Sequence, residues 1–91
     1  MQQHIVVTLS LFGNFRHCFA ADRVSIPLTK GAGLVDLRAA FKRLIVTARP
    51  ESVESDLVDY SAFADDKNIL CEDAVFDADI RIAILPPVCG G

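Results

Sequence analysis

The feature that most limits the fold of this chain is a single long helical pattern between residues 34 and 49. Pro50 disfavours a helical conformation at Arg49 and therefore marks the end of that pattern. Because no second long helix is predicted, the apolar stripe must be buried against a sheet. The stripe recurs at helical spacing, and the polar residues largely occupy the other side. The apolar positions are Leu34, Leu37, Phe41, Leu44, Ile45 and Ala48, and the polar ones are Asp36, Arg38, Lys42 and Arg43.

Two predicted strands precede this helix. Residues 4–11 and residues 23–28 each alternate between apolar and polar side chains, which is the period of a half-buried strand. Pro27 lies inside the second strand and cannot donate to a ladder, which indicates a strand at an edge of the sheet or a position whose N–H would face outward. Residues 12–22 contain Gly13 and Asn14 and predict a wide loop with at most one short turn of helix. The two strands are expected to form an antiparallel hairpin.

Shorter elements follow the helix. We expect a polar loop over residues 51–58, a short strand over 59–64, a turn over 65–68 and a brief strand over 69–71. Residues 80–85 form the last predicted strand, and two prolines end it. This order predicts an α+β fold of the β-grasp, or ubiquitin-like, type, with a mixed sheet and one main helix on one face. We expect residues 1–85 to form this domain and residues 86–91 to form a flexible C-terminal tail.

Composition and motifs exclude several classes of function. The 91 residues carry a formal charge of −3, which argues against a protein that binds nucleic acid backbones. No apolar run approaches the roughly 18–20 residues of a membrane span, and the start lacks the basic region of a signal peptide. Without a membrane span, we expect no membrane association. Three cysteines without a C-x-x-C pair favour reduced thiols, which fit a cytoplasmic protein. The Gly31–Gly33 segment is not a phosphate-binding loop, and the adjacent His17 and Cys18 do not predict a metal site.

The chemistry of the chain is expected at its end, Pro86-Pro87-Val88-Cys89-Gly90-Gly91. Two prolines favour extended geometry, in which six residues reach about 19 Å at roughly 3.1 Å per residue. Gly90 and Gly91 lack side chains and can enter a narrow channel. An activated acyl group on glycine also has no stereocentre to lose. The reactive group is therefore expected to be the carboxylate of Gly91.

The chain resembles the sulfur-carrier family of the MoaD/ThiS type, and within it the small subunits of molybdopterin synthase. The resemblance depends on residues 79–91, and the helix over 34–49 and the strand over 5–11 are compatible with it. Two positions depart from the family pattern. Ala78 stands where a glycine often precedes the aspartate, which puts the form of that turn in doubt. Cys89 occupies a position usually given to a small residue.

This resemblance implies a carrier that is not catalytic alone and that binds no cofactor. A ubiquitin-activating-like adenylyltransferase would use ATP to adenylate Gly91, and a cysteine desulfurase or rhodanese-type donor would then supply the sulfur of a thiocarboxylate. The tail would enter the large subunit of molybdopterin synthase and give its sulfur to a pterin precursor. Residues Pro86, Pro87, Val88, Cys89 and Gly90 would guide the tail. Cys89 is expected to be a bystander, although an acyl disulfide through its thiol is the alternative.

A partner must also dock on the domain. The sheet face opposite the helix is expected to expose Val6, Ala83 and Leu85 beside the base of the tail, and an exposed apolar patch is a reasonable partner site. Two further functions remain open from the sequence. The chain could carry sulfur for another product, such as a thiazole or cysteine, or it could be a ubiquitin-like modifier whose Gly91 is linked to lysines of target proteins.

Overall fold

The computed structural model describes residues 3–19, 21–50 and 54–87 and contains a mixed four-stranded sheet with one main helix packed on it. The helices are α1, α2 and α3, and a 3-10 helix follows α3 directly. Their bounds and those of the strands, in chain order, are β1 His4–Ser10, α1 Asn14–Phe19, β2 Arg23–Thr29, α2 Leu34–Ala48, α3 Glu54–Leu57, the 3-10 helix Val58–Tyr60, β3 Ala62–Ala64 and β4 Ile80–Leu85.

The strands lie in the order β2-β1-β4-β3. β1 pairs with β2 as an antiparallel hairpin and with β4 in parallel, from Val7 opposite Ile80 to Ser10 opposite Ala83. β3 is antiparallel to β4. The predicted β-grasp fold and the edge position of the strand that contains Pro27 are therefore confirmed.

The core lies between α2 and one face of the sheet. Successive strand residues point to opposite faces, so the odd-numbered residues of β1 and the even-numbered residues of β2 and β4 point toward the helix. Phe41 lies at the centre of the helical side, where its ring contacts Phe15 edge-on at 5.5 Å and stacks on Phe19 at 5.8 Å between centroids. The buried apolar residues are Ile5, Val7, Leu9, Leu11, Phe15, Ile26, Leu28, Leu34, Leu37, Phe41, Ile45, Val58, Phe63, Phe76, Ile82 and Ile84.

The segment Gly31–Gly33 is the entry to α2. Gly31 has a φ of 90°, which favours glycine, and the chain then turns into the helix. The N–H of Gly33 donates to Oδ2 of Asp36 at 2.9 Å, so the first-turn carboxylate satisfies a backbone donor at the helix start. The helix ends at Ala48, one residue before the predicted boundary.

Four predicted segments differ from the structure. The predicted loop over 51–58 contains α3, and the predicted strand over 59–64 is reduced to Ala62–Ala64 because the 3-10 helix occupies Val58–Tyr60. Ser61 stabilises this arrangement, since its Oγ donates to the carbonyl of Leu57 at 2.6 Å. The segment 69–71 contributes only an isolated bridge between Ala64 and Ile69. The loop over 12–22 holds the six-residue α1, because Phe15 and Phe19 pack on α2.

Arg38 was predicted on the polar side of α2, and this prediction is wrong. Its guanidinium donates to the carbonyls of Val58 at 2.5 Å and Ser61 at 2.9 Å, and it also pairs with Glu72. The same group lies 4.9 Å from the centre of the Phe63 ring. The side chain is only 13% exposed. Arg38 therefore holds α2 against the chain between α3 and β4.

Candidate functional site

The end of β4 positions the segment from which the predicted tail begins. β4 lies between β1 and β3, and its last residue, Leu85, pairs with Ala62 of β3, whereas the ladder with β1 ends at Ala83. Pro86 follows and lies beside Gly13, where an added Cβ would be 3.5 Å from Cγ of the proline. Gly13 has a φ of 59°, which allows the tight turn between β1 and α1 at this point. The chain therefore leaves the domain beside the loop that follows β1.

An apolar surface surrounds this exit. Leu85 is 38% exposed on the sheet face opposite the helix, where Ala62 of β3 lies opposite it in the ladder. Ala83 lies on the same face, between Ser10 and Ala64. Phe12 is 47% exposed and immediately precedes Gly13, which lies beside Pro86. We refer to Phe12, Ala62, Ala83 and Leu85 as the tail-base surface.

The structure brings two of the three predicted docking residues together. Ala83 and Leu85 both lie on the tail-base surface, but Val6 does not. Val6 lies opposite Pro27, and the parallel register places it level with residue 79 of the chain entering β4. Leu85 is six residues farther along, which corresponds to about 20 Å at roughly 3.3 Å per residue. Val6 is exposed on the same face as Leu85, but at its opposite end.

Phe12 was missed by the sequence reasoning, which placed it in a loop without a role. The signal that identifies it is the parallel register between β1 and β4, because the offset that pairs Val7 with Ile80 also brings residue 12 level with Leu85. Leu11 is buried and Phe12 is exposed, so the alternation of β1 continues for two residues past its end at Ser10. The register of a parallel pair is not visible in a single sequence.

The turn before β4 has a defined contact in spite of the missing glycine at Ala78. Oδ1 of Asp79 accepts the backbone N–H of Val6 at 2.8 Å. This bond precedes the first parallel pair, Val7 opposite Ile80. Asp79 therefore helps to set the register that brings Leu85 and Phe12 to the same end of the sheet.

The predicted tail residues Val88, Cys89, Gly90 and Gly91 lie outside the described residues, so their roles remain predictions. Pro86 and Pro87 are described, and both are half-buried. Among residues 3–19, 21–50 and 54–87, no group of three or more His, Cys, Asp or Glu residues is placed to hold a metal ion. The helices in these ranges are too short or too polar to cross a membrane.

The comparisons with known proteins concern the fold. No family model and no curated protein matches the chain in sequence. Among solved structures, SAMP1 from Haloferax volcanii superimposes with a TM-score of 0.68 at 18% identity, over 94% of this chain and 99% of that one. Another structure of small archaeal modifier protein 1 from H. volcanii gives 0.66 at 18% identity, over 92% and 99%.

A third similar structure comes from Pyrococcus furiosus and is described as subunit 1 of a molybdopterin converting factor. It superimposes with a TM-score of 0.63 at 19% identity, over 92% of this chain and 99% of that one. Similarity at this identity concerns the fold and not the activity. The chain therefore has the ubiquitin-like β-grasp fold of these small proteins over nearly its whole length.

Proposed function

We propose that the chain is a ubiquitin-like sulfur carrier whose Gly91 carboxylate is converted to a thiocarboxylate. The observation that supports this most strongly is the position of β4. This inner strand ends at Leu85 and continues through Pro86 and Pro87 into Val-Cys-Gly-Gly, beside an apolar surface suited to a partner. A rigid domain would thus present a slim reactive arm next to its own docking surface.

The proposed chemistry needs a carboxylate and no side chain of this protein. An adenylyltransferase would bring the Gly91 carboxylate to the α-phosphate of ATP, which forms an acyl adenylate and releases pyrophosphate. A persulfide on a desulfurase or rhodanese-type donor would attack the acyl carbon and release AMP. A thiol would then cleave the resulting sulfur–sulfur bond and leave the thiocarboxylate on Gly91. The catalytic groups would belong to the partners, which fits a cytoplasmic carrier that is inactive alone.

The tail-base surface would contact these partners. Any protein that binds residues 88–91 in a narrow channel must approach the domain at Leu85 and Phe12, because the chain leaves it there. Burial of exposed apolar side chains provides about 25 cal/mol per Å² and is a reasonable source of affinity. Contacts at this surface would position the Gly91 carboxylate in the active site of the partner. Reacting atoms must approach each other to about 3–3.5 Å.

Molybdopterin synthesis is the proposed pathway, with a pterin precursor bound by the large synthase subunit as the sulfur acceptor. The similar fold of the protein from P. furiosus favours it, as do the Pro-Pro-Val residues before Cys-Gly-Gly. The second candidate is a protein modifier joined through Gly91 to lysines of targets. The similar fold of the modifier protein from H. volcanii, present in two solved structures, favours this candidate. Both candidates begin with the same adenylation.

The test is mass spectrometry of the protein purified from its own cells, which first establishes its C-terminal residue. The purified chain is then incubated with an adenylyltransferase, ATP and a persulfide donor. We expect the mass change for replacement of one oxygen by sulfur, located on Gly91 by fragmentation. Absence of the acyl adenylate with every carrier-activating enzyme of that cell would contradict the proposal.

Matched variants test the roles of Cys89 and of the Gly91 carboxylate separately. A Cys89→Ser chain should be thiocarboxylated as well as the unaltered chain, because the acceptor is the Gly91 carboxylate. A chain lengthened by one alanine after Gly91 should not react, since the carboxylate moves by up to about 3.6 Å. To distinguish the candidates, lysine-linked conjugates in the native lysate would favour the modifier. Sulfur transfer to a pterin precursor by the loaded chain and a large synthase subunit would favour the carrier.

A further inference from the structure

The thiol of Cys71 is exposed beside the edge strand β3 and has no part in the proposed sulfur chemistry. Ile69 forms an antiparallel bridge with Ala64, and the N–H of Leu70 donates to the carbonyl of Phe63 at 2.7 Å. The chain that follows Ile69 therefore runs antiparallel along the outer side of β3. This short segment brings Cys71 to the sheet.

Arg38 holds Cys71 at the start of β3. Its guanidinium donates to the carbonyl of Ser61 at 2.9 Å and pairs with Glu72. One arginine thus joins the residue before Ala62 to the residue after Cys71. The register of the bridge agrees with this contact, because two residues farther along it brings Cys71 level with Ala62.

Cys71 lies on the sheet face that carries the tail-base surface. Residues that are level on antiparallel neighbours share a face, so Cys71 shares the face of Ala62. The alternation agrees, since Leu70 packs on the core and Cys71 is exposed. Ala62 in turn lies opposite Leu85. Two strand spacings of about 4.8 Å therefore separate Cys71 from the last residue of β4, a distance of about 10 Å.

The tail begins in the direction of β4. Gly13 and Pro86 lie beside each other, and the offset between β1 and β4 makes these two residues level. Pro86 thus continues the line of the strand past Leu85. At roughly 3.1 Å per residue, Pro87 lies about 6 Å beyond Leu85 and about 12 Å from Cys71.

A second cysteine, Cys89, follows Pro87 by two residues. Two residues of chain span at most about 7 Å. A disulfide joins Cα atoms that are about 4.4–6.8 Å apart. Together these lengths cover the distance of about 12 Å from Pro87 to Cys71. The tail is therefore long enough for the two thiols to meet.

We propose that Cys71 and Cys89 form a disulfide that closes the tail onto the sheet when the protein is oxidised. The oxidant is a low-molecular-weight disulfide such as oxidised glutathione. The thiolate of Cys89 attacks one sulfur of glutathione disulfide and releases one glutathione. The thiolate of Cys71 then attacks the Cys89 sulfur of the mixed disulfide and releases the second. Both cysteines are thereby oxidised, one glutathione disulfide is reduced, and the two thiol protons end on the two glutathiones.

Such a disulfide would keep the tail out of a partner's channel. Only Gly90 and Gly91 follow Cys89, and they extend the chain by about 7 Å at most. The carboxylate would then lie near β3 rather than ahead of β4. This consequence rests on the proposed function, whereas the disulfide itself does not. Exposed disulfides are easily reduced and are transient in reducing compartments, so the block would be reversible.

The test is mass spectrometry of the full chain after treatment with glutathione disulfide and alkylation of the remaining thiols. We expect a monomer that has lost two hydrogen atoms. Trypsin cuts after Lys67 and Arg81, so Cys71 and Cys89 fall on different peptides, and these should remain linked until a reductant is added. The linked fraction should not change when the protein is diluted about a hundredfold, because both thiols belong to one chain.

Serine variants identify the two thiols. Cys71→Ser and Cys89→Ser should each abolish the linked peptide and leave glutathione on the remaining cysteine. Cys18→Ser is the matched control and should form the disulfide as the unaltered chain does, because α1 packs on α2 at the other face of the sheet. With the adenylyltransferase and ATP, the oxidised chain should react at least about tenfold more slowly than the reduced chain, since its carboxylate is displaced. Dithiothreitol should restore the rate.

Several results would overturn the proposal. These are a linked peptide that contains Cys18 in place of Cys71, disulfides only between chains, or glutathione on both thiols without a link. A linked chain that reacts as fast as the reduced chain would refute the block of the tail. If the reduced chain forms no acyl adenylate, the proposed function fails, and the linked peptide still decides whether the disulfide forms. Amide spectra show whether each variant is folded, and the peptide map of the unaltered chain needs no variant.

Discussion

The carboxylate of Asp79 accepts the backbone N–H of Val6 at 2.8 Å, immediately before the parallel pairing of β1 and β4 begins. The two residues are 73 positions apart in the sequence. A side chain here replaces the backbone acceptor that a longer β4 would supply. The contact joins the start of the first strand to the start of the last one.

Removal of this acceptor should weaken the sheet. We expect Asp79→Ala to lower the free energy of unfolding by about 1–2 kcal/mol, because the N–H of Val6 loses its partner. Asp79→Asn keeps an acceptor and should cost less. Urea unfolding measures both, and Asp77→Ala is the control, since Asp77 is exposed and has no described hydrogen bond or ion pair. Equal stabilities of the variants at 77 and 79 would contradict the assigned role.

Arg38 should be important for stability, although arginine is usually a surface residue. Arg38→Met leaves the carbonyls of Val58 and Ser61 without this donor, and we expect a loss of about 2–3 kcal/mol in the free energy of unfolding. Arg38→Lys keeps the charge but not the planar group that reaches both carbonyls, so its loss should be intermediate. Arg43→Met on the same helix should stay within about 0.5 kcal/mol. Equal losses in the free energy of unfolding for Arg38→Met and Arg43→Met would contradict the structural role of Arg38.

Leu85 and Val6 form a matched pair for the proposed partner contact, since both are 38% exposed on one sheet face. We expect Leu85→Gln to weaken binding to the adenylyltransferase or the large synthase subunit about tenfold or more, because a buried leucine contributes about 1.5–3 kcal/mol. Val6→Gln lies about 20 Å away and should bind normally. Titration calorimetry with each partner provides the measurement. The reverse order of effects would place the interface at the other end of the sheet.

The turn at Asp65 should make a pH-dependent contribution to stability. The N–H of Asn68 and then that of Lys67 donate to its carboxylate, and they lower the pKa of Asp65 below its ordinary value of 3.8. A carboxyl whose pKa is lowered by folding stabilises the native state above its unfolded pKa, and this contribution disappears as the pH falls through the folded value. The stability difference between the unaltered chain and Asp65→Asn should therefore be constant near neutral pH and vanish in strong acid.

Urea unfolding from neutral pH to about pH 2 checks this expectation. Asp66→Asn is the control, because Asp66 is exposed in the same turn and accepts none of these bonds. If the stability difference between the unaltered chain and Asp65→Asn persists unchanged into acid, the charge of Asp65 is not its cause.

The elements with clear periodicity were predictable from sequence. The strands β1, β2 and β4 and the helix α2 lie within one residue of their predicted bounds, because alternation and helical spacing report directly which side chains are buried. Pro27 predicted the edge strand correctly, since a missing donor is tolerated there. The region over 51–71 was less predictable. Its 3-10 helix depends on Arg38, whose partners come from distant positions and leave no periodic trace.

The candidate site was also predictable from the sequence only in part. The position of Ala83 and Leu85 on the face opposite α2 followed from the alternation along β4, although only Leu85 is exposed there and Ala83 is half-buried. Their distance from Val6 and their proximity to Phe12 depend on the register between β1 and β4. That register is set by contacts such as the one between Asp79 and Val6, which a single sequence does not reveal.

The inner position of β4 has a mechanical consequence. A force applied to the chain beyond Pro87, along the direction of the strand, loads the ladders with β1 and β3 together and in shear. The hydrogen bonds on both sides must then yield almost at once, whereas a terminal strand at a sheet edge can be peeled away bond by bond. Resistance to such a force is governed by the rate of unfolding under load. The domain can therefore be drawn tightly against another protein by its last residues without losing the strand that anchors them.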